Sequence, residues 1–153
     1  MSLYTPSHFK AGDPAAVARL IEDNPFATLI TANDPEPAVS HLPLLMETGS
    51  GAHGTLLGHF ARANPHWRQA QHRESIAIFH GPHAYVSPSW YAEPAKAVPT
   101  WNYATVHVLG TLEVIADPLE ARAVLDRLVQ RFEAGRGAPW TLALVERERD
   151  AMI

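Results

Sequence analysis

With 153 residues, of which 46% are hydrophobic and 18% charged, the chain has the length and composition of one domain with a single core. The absence of cysteine excludes disulfides, thiolate nucleophiles and sulfur-ligated metal clusters, and a net charge of −4 without a basic stretch argues against binding nucleic acid through phosphate neutralisation. The sequence has neither a run of about 18 apolar residues nor a signal-peptide layout, so we expect a cytoplasmic protein without a membrane span.

Predicted helices begin where an Asn or Asp is followed by Pro, because this pair supplies an N-cap acceptor and then a residue preset for the first helical turn. Asp13-Pro14, Asn64-Pro65 and Asp117-Pro118 predict helices over residues 13–23, 64–72 and 117–134. Apolar residues at helical spacing support the first and the third of these helices. A further helical stretch is expected at residues 140–150.

Strand-like segments separated by turn residues fill the rest of the chain. They cover residues 26–32, 37–45, 53–59, 75–80, 83–86 and 103–115. Gly81-Pro82 is typical of a turn, so residues 79–86 are predicted to form a tight hairpin, followed by a long proline-rich loop at residues 87–100. We therefore expect a mainly β fold, a small barrel of about six antiparallel strands with peripheral helices. A parallel βαβ architecture is less favoured, because the sequence lacks its Gly-rich strand-to-helix motifs.

Residues 58–65 leave a strand and enter a helix N-terminus, where unpaired backbone amides and the helix dipole favour an anion. Arg62 stands just before this terminus, and its planar guanidinium matches phosphate or carboxylate oxygens. Spacing alone leaves both anion binding and an ordinary surface ion pair open for Arg62.

Aromatic and histidine side chains are concentrated in the second half of the strand region. Trp and Tyr residues at positions 90–91 and 101–103 can wall a planar heteroaromatic ligand or a subunit interface. His80 and His83 have no third ligand at a recognisable spacing, so we interpret them as structural histidines. Other strand histidines leave a heme or metal site open as an alternative: His41, His59 and His107.

Consecutive blocks of the sequence resemble the PaiB family, whose members are described as FMN-binding negative transcriptional regulators. The resemblance runs in register through residues 4–9, 24–31, 40–44, 58–67, 77–85, 87–91 and 98–103, together with His107. It implies the FMN-binding split-barrel fold, which is also used by pyridoxamine-phosphate oxidases and flavin reductase-like proteins, with FMN as the cofactor.

The resemblance also implies two groups of cofactor-binding residues. The group for the FMN phosphate is Arg62 with the amides of Ala63 and Asn64, helped by Ser40 or Thr31. The group for the isoalloxazine and its pocket is Trp101, Asn102, Tyr103, His41 and His59. In this fold a homodimer places the flavin at the subunit interface, so the second group can come from the partner. No catalytic residue and no metal ligand is assigned.

The family pattern continues past Ile153, so we expect residues 1–153 to form a single FMN-binding split-barrel domain that lacks a C-terminal family segment. The resemblance implies a negative transcriptional regulator. Because the predicted helix at residues 117–134 mixes arginines with acidic residues, we expect an indirect effect or one through a partner rather than direct nucleic-acid binding. One alternative is a flavin-dependent oxidoreductase, resembling a flavin reductase or a pyridoxamine-phosphate oxidase, and the other is heme or metal binding.

Overall fold

The helices and strands come from a computed structural model that describes residues 4–33, 35–51 and 53–142. The elements in chain order are α1 Pro14–Asp23, β1 Phe26–Thr31, β2 Ala38–Pro43, β3 Leu45–Glu47, β4 Thr55–Leu57, α2 His66–Ala70, β5 Glu74–Val86, β6 Thr100–Thr111 and α3 Pro118–Glu133. Short 3-10 turns occupy Ser7–Phe9, Pro88–Trp90 and Pro94–Lys96. Most of the helix predicted at residues 140–150 lies outside the described residues.

The three helix starts predicted from Asn-Pro and Asp-Pro pairs are confirmed by their caps. An Oδ1 atom of Asp13, Asn64 and Asp117 accepts a backbone N–H of the following turn, each at 2.9 Å. The second helix is shorter than predicted and ends at Ala70. His72 has a φ of 59°, a left-handed conformation that cannot continue a helix.

The strands form two antiparallel sheets. The larger sheet has the order β2-β1-β5-β6, and β3 pairs with β4 in a separate two-stranded sheet. Among the described residues the larger sheet is open at both edges, and residues of both sheets pack on one hydrophobic core together with Ile21 of α1. The mainly β, antiparallel prediction with peripheral helices is confirmed.

The predicted tight hairpin at Gly81-Pro82 is wrong. Residues 74–86 form one continuous strand, β5, and the pairing with β6 shifts register between His80 and His83. Pro82 has no N–H to donate to the ladder, so the Gly-Pro pair forms a bulge in a strand that continues. A Cβ on Gly81 would lie 3.2 Å from Leu20 Cδ1 and 3.3 Å from the Ala104 carbonyl oxygen, so glycine allows α1 and β6 to approach closely.

Other strand boundaries shift less. The segment predicted at residues 37–45 is divided into β2, which pairs with β1, and β3, which begins at Leu45 and pairs with β4. The strand predicted at residues 53–59 shortens to β4. The strand predicted at residues 103–115 begins earlier and ends at Thr111.

The larger sheet has two faces of different character. Its inner face carries core side chains that are at most 7% exposed, namely Ala27, Leu29, Leu42, Ala77 and Phe79. Paired residues of an antiparallel sheet share a face, so the register defines the outer face. The outer face includes Phe26, Thr28, Ile30, Val39, His41, Glu74, Ile76, Ile78, His107, Leu109 and Thr111. Glu74, at one end of β5, is the one charged side chain among these positions, and Phe26, Val39 and Leu109 are 66%, 51% and 62% exposed.

Candidate functional site

A buried polar cluster joins α2 to the inner face of the sheet. His66 is 2% exposed, its Nδ1 lies 2.8 Å from Ser40 Oγ, and its Nε2 lies 3.0 Å from Thr31 Oγ1. Asn64 Nδ2 donates to the same Ser40 oxygen at 2.9 Å, and Thr31 Oγ1 lies 2.6 Å from Ser75 Oγ. The structure therefore brings together three of the predicted phosphate-site residues, Thr31, Ser40 and Asn64, but around a histidine that the sequence analysis did not assign.

The hydroxyls of this cluster already have partners inside the protein. Thr31 is 0% exposed and Ser40 is 8% exposed, and both hydroxyls bond to His66. Burial lowers the pKa of His66 below its ordinary value of 6.5. In this arrangement Ser40 and Thr31 support the loop that carries Arg62, and their direct contact with a phosphate stays a prediction.

Arg62 lies in a tight turn that precedes His66 in the sequence. The Asn64 amide donates to the Ala61 carbonyl at 2.8 Å and closes a turn with Arg62 and Ala63 at its centre, which we call the Arg62 turn. Arg62 is exposed, and within the described residues its guanidinium forms no ion pair. An exposed arginine without an acidic partner is suited to an external anion.

The backbone of the Arg62 turn offers fewer donors than predicted. The Asn64 amide is used to close the turn, and the His66 amide donates to the Asn64 side chain. Since α2 has only 5 residues, its dipole is also small. The Ala63 amide remains the backbone donor that the turn can offer to a phosphate, and this role stays a prediction.

Trp67 and Arg68 extend the Arg62 turn and were missed from the sequence. The indole Nε1 of Trp67 donates to the Arg62 carbonyl at 3.2 Å. The Arg68 guanidinium carbon lies 4.3 Å from the centre of the Trp67 ring. The sequence signal for these two residues is an arginine directly after a tryptophan, shortly after Arg62 in the chain. Guanidinium groups stack on aromatic faces, so such a pair is a candidate for this contact.

The predicted isoalloxazine residues lie on the far part of the β5–β6 hairpin, beyond the bulge. His83 and Tyr85 pair with Tyr103 and Trp101, so the four side chains share one face, which we call the aromatic platform. Trp101 Nε1 donates to His83 Nδ1 at 3.2 Å, and these two rings stack with centroids 5.7 Å apart. Asn102 pairs with Ala84 on the opposite face, so the structure does not place Asn102 beside Trp101 and Tyr103.

His41 and His59 lie apart from each other. His41 is exposed on the outer face, and its Nδ1 lies 3.2 Å from Thr28 Oγ1. His59 borders a shallow cavity of about 220 Å³, and burial lowers its pKa below 6.5. A second cavity, of about 190 Å³, also borders α3. Both are smaller than the roughly 300 Å³ at which pockets for small molecules begin.

The strand histidines do not converge on a metal. His41 and His107 occupy one cross-strand row with Thr28 and Ile78 between them, which separates their backbones by roughly 14 Å at about 4.8 Å per strand. Among the described residues, no group of three His, Asp or Glu side chains could hold a metal ion. In the same part of the chain, no helix is long and apolar enough to cross a membrane.

Comparison with known sequences gives a family match and several relatives. The chain matches the family described as "Putative FMN-binding domain" over residues 3–153. The protease synthase and sporulation protein PAI 2 of Bacillus subtilis is 34% identical over 138 residues, covering 90% of this chain and 65% of that protein. The uncharacterized protein AN0679 of Emericella nidulans is 35% identical over 129 residues, covering 65% of this chain and 51% of that protein. This chain thus spans less than two thirds of either relative.

Two solved structures have a similar fold. The FAD and heme binding protein from Mycobacterium smegmatis has a TM-score of 0.67 at 22% identity, covering 92% of this chain and 63% of that chain. The flavocytochrome Anf3 from Azotobacter vinelandii has a TM-score of 0.65 at 18% identity, covering 92% of this chain and 61% of that chain. The likeness at these identities concerns the fold, and it confirms the split-barrel prediction.

Proposed function

This chain belongs to the family of FMN-binding domains, FMN is its cofactor, and from that premise we propose that two copies of the chain form each FMN site. The Arg62 turn of one copy would bind the phosphate, through the Arg62 guanidinium and the Ala63 amide. Trp101 and Tyr103 of the other copy would cover the isoalloxazine. The available groups fit this cofactor, because an exposed guanidinium without an acidic partner suits a phosphate and an exposed aromatic face suits a planar ring system. Bound FMN supplies reversible redox chemistry, which protein side chains alone lack.

The observation that carries the proposal is the distance between the two groups within one chain. The buried cluster below the Arg62 turn reaches β5 at Ser75, whereas the aromatic platform reaches it at Tyr85. The ten residue steps between them in a 13-residue strand span at most roughly 33 Å at about 3.3 Å per residue, and the bulge at Gly81-Pro82 shortens this distance. FMN, with three fused rings and a five-carbon chain ending in the phosphate, is much shorter than a fully extended strand of this length. A site shared by two copies would therefore bring both groups to one flavin more readily than one chain alone.

The outer face of the sheet supports a second copy as the partner. It is mostly apolar, with one carboxylate, Glu74, at one end of β5, and it is exposed at Phe26, Val39 and Leu109. A face of this kind suits a self-complementary interface around a two-fold axis, where apolar residues of both copies meet.

A mixing experiment tests the shared site. Arg62→Ala alone and the double variant Trp101→Ala with Tyr103→Ala are each expected to bind FMN weakly in an absorbance titration. When the two variants are mixed and allowed to exchange subunits, about a quarter of the sites in the mixture regain both groups, because half of the dimers are mixed and each carries one intact site. Absence of any recovery in mixed dimers would contradict the proposal.

A regulatory effect, implied by the resemblance to PaiB proteins, is proposed to be indirect or to need a partner. The arginines of α3 are already engaged: Arg122 pairs with Asp126 at 3.8 Å, Arg127 pairs with Glu47, and Arg131 donates to the Glu22 carbonyl at 3.1 Å. A helix whose cations have these partners is a poor phosphate-neutralising surface. Specific duplex binding in a gel-shift titration at physiological salt would overturn this proposal.

A flavin-dependent oxidoreductase is the second candidate. It is favoured by exposed aromatic side chains at the end of the β5–β6 hairpin, where Trp90 is 70% exposed and Tyr91 is 49% exposed. Such side chains can form a pocket for a small substrate beside the flavin. Reduction of bound FMN by NAD(P)H, followed by turnover with an electron acceptor, would support this candidate, and flavin that stays oxidised with NAD(P)H would count against it.

A further inference from the structure

The hydrogen bonds around His66 form a chain from Asn64 to Ser75, and the groups at its two ends favour one order of donors and acceptors. Asn64 Oδ1 accepts the His66 amide, so Asn64 Nδ2 faces Ser40 and can only donate. At the other end, Ser75 Oγ lies 3.4 Å from the Arg73 carbonyl oxygen, which can only accept, and this acceptor favours Thr31 as the donor in the Thr31–Ser75 hydrogen bond. Between these fixed ends, each hydroxyl accepts one hydrogen bond and donates the next.

This direction defines the tautomer of His66. Ser40 Oγ accepts from Asn64, and the arrangement that gives its own proton an acceptor has Ser40 donating to His66 Nδ1, at 2.8 Å. His66 Nε2 carries the proton and donates to Thr31 Oγ1 at 3.0 Å, and Thr31 in turn donates to Ser75. The ring is therefore neutral, with its proton on Nε2, and no buried polar side-chain atom among the described residues lacks a partner.

A proton added to Nδ1 would break this order. Ser40 Oγ would then face two donors, His66 Nδ1–H and Asn64 Nδ2–H, and its own hydroxyl proton would lose its acceptor. The groups that face His66 are the hydroxyls of Ser40 and Thr31, the Asn64 amide and the Phe60 ring, at a centroid distance of 5.3 Å.

The charged groups nearest to His66 along the chain do not compensate a second charge. They are cations, namely Arg62, Arg68 and Arg73, and no carboxylate contacts the ring among the described residues. A buried imidazolium without a counter-ion is costly. Burial alone already lowers the pKa of His66, in agreement with this geometry.

We propose that neutral His66 is a positioning residue that holds the Arg62 turn in the geometry for binding a phosphate, and that protonation of its ring releases this turn. The coupling runs through Asn64, whose side chain bonds to Ser40 and caps His66 while its backbone closes the turn. The proposal rests on the proposed function, because it assigns Arg62 to the FMN phosphate. It adds that affinity for FMN depends on the protonation of a buried histidine that does not touch the flavin.

The first test needs neither a variant nor flavin. Nitrogen-15 NMR of the histidine rings in the wild-type chain is expected to show His66 with an unprotonated Nδ1 and a protonated Nε2 at pH 7. The same tautomer is expected to persist below the ordinary histidine pKa of about 6.5. A proton on Nδ1 at pH 7, or titration of His66 at its ordinary pKa with no change at the Asn64 side chain, would overturn the proposal, whether or not the protein binds FMN.

The second test measures FMN affinity at pH 8 and at pH 5.5 in the wild type and in His66→Gln, whose side chain does not titrate. Both proteins lose some affinity at pH 5.5, because the phosphate itself takes up a proton near pH 6. The wild type is expected to lose more, by up to about tenfold for each pH unit below the lowered pKa of His66, since it binds one additional proton. Equal losses in the two proteins would contradict the proposal, whereas absence of FMN binding by the wild type at pH 8 would contradict the proposed function instead.

A second pair of variants distinguishes a specific loss of FMN affinity from a general loss of stability, in case His66→Gln does not fold. Ser40→Ala removes the donor to His66 Nδ1, whereas Thr105→Val removes a hydroxyl that bonds to the Phe79 carbonyl at 2.8 Å, away from the Arg62 turn. Both variants are expected to unfold at lower urea concentration than the wild type. Only Ser40→Ala is expected to bind FMN more weakly while its riboflavin affinity stays unchanged, and equal FMN affinity of the two variants would count against a positioning role.

Discussion

The guanidinium of Arg68 stacks on the ring of Trp67, with 4.3 Å between the guanidinium carbon and the ring centre. The indole Nε1–H of the same side chain donates to the Arg62 carbonyl at 3.2 Å. One aromatic side chain therefore contacts two arginines, one through its face and one through its N–H. Trp67 thus connects the Arg62 backbone to the Arg68 side chain, so we expect it to be a sensitive position for the proposed phosphate binding.

Trp67→Phe is expected to weaken FMN binding by about 0.5–1.5 kcal/mol, the net value of one hydrogen bond. The phenyl ring still supports Arg68 but has no N–H for the Arg62 carbonyl. An absorbance titration with FMN measures the change, and Trp140→Phe, at the cavity beside α3, serves as the control. The same loss in both variants would argue against a specific role for Trp67.

Arg62→Ala is expected to weaken FMN binding by roughly 1.5–3 kcal/mol, the range for a hydrogen bond to a charged group. Riboflavin lacks the phosphate, so its affinity is expected to stay nearly the same. Arg136→Ala is the matched control, because Arg136 is also exposed but pairs with Glu133 at 3.4 Å. If Arg62→Ala weakened both ligands equally, Arg62 would not contact the phosphate.

Val39→Glu combined with Leu109→Glu is expected to separate a dimer into single chains of 16.8 kDa, as measured by light scattering. Each copy would bring two carboxylates into an apolar interface, where unpaired charges cost several kcal/mol each. FMN affinity is expected to fall together with the molar mass. Leu119→Glu is the control, since this leucine is 77% exposed on α3, away from the outer face. A dimer that persists in the double variant would place the interface elsewhere.

Folding stability is expected to decrease as the pH falls below about 6.5. Burial lowers the pKa of both His66 and His59 in the folded chain, so the unfolded chain takes up protons first as the solution becomes acidic. Above the unfolded pKa both states hold these histidines neutral and the full stability is present, and it is lost progressively as the pH falls through the folded pKa values. Urea unfolding at pH 8, 7, 6 and 5 measures this dependence.

His66→Gln removes one of these titrating groups, so its unfolding free energy is expected to change less between pH 7 and pH 5 than that of the wild type. His66 is 2% exposed, whereas His59 is partly solvated. An unfolding free energy of the wild type that increases as the pH falls from 7 to 5 would contradict this prediction. The same change in the wild type and in His66→Gln would also contradict it.

The sequence predicts several residues of the candidate site, but not His66 at its centre. Arg62 stood out as a cation at a strand exit, and Thr31, Ser40 and Asn64 were assigned to the same group through the family resemblance. His66 carried no comparable signal, because its importance depends on hydroxyls that lie 26 and 35 residues away in the chain. Asn102 was grouped with its neighbours in the sequence, although alternation along a strand points it to the opposite face.

The sequence by itself determined the features that depend on neighbouring residues. The three helix starts follow from a capping oxygen and a proline that sets the backbone of the first turn, and both effects act within four residues. Only the tertiary structure decided whether Gly81-Pro82 reverses the chain or kinks a strand. That outcome depends on β6, which pairs with β5 on both sides of the bulge, and on α1 packed against Gly81. The tertiary structure likewise placed the polar cluster next to the Arg62 turn and the aromatic platform beside different parts of β5, because the register of the sheet, and not the distance along the chain, controls which side chains meet.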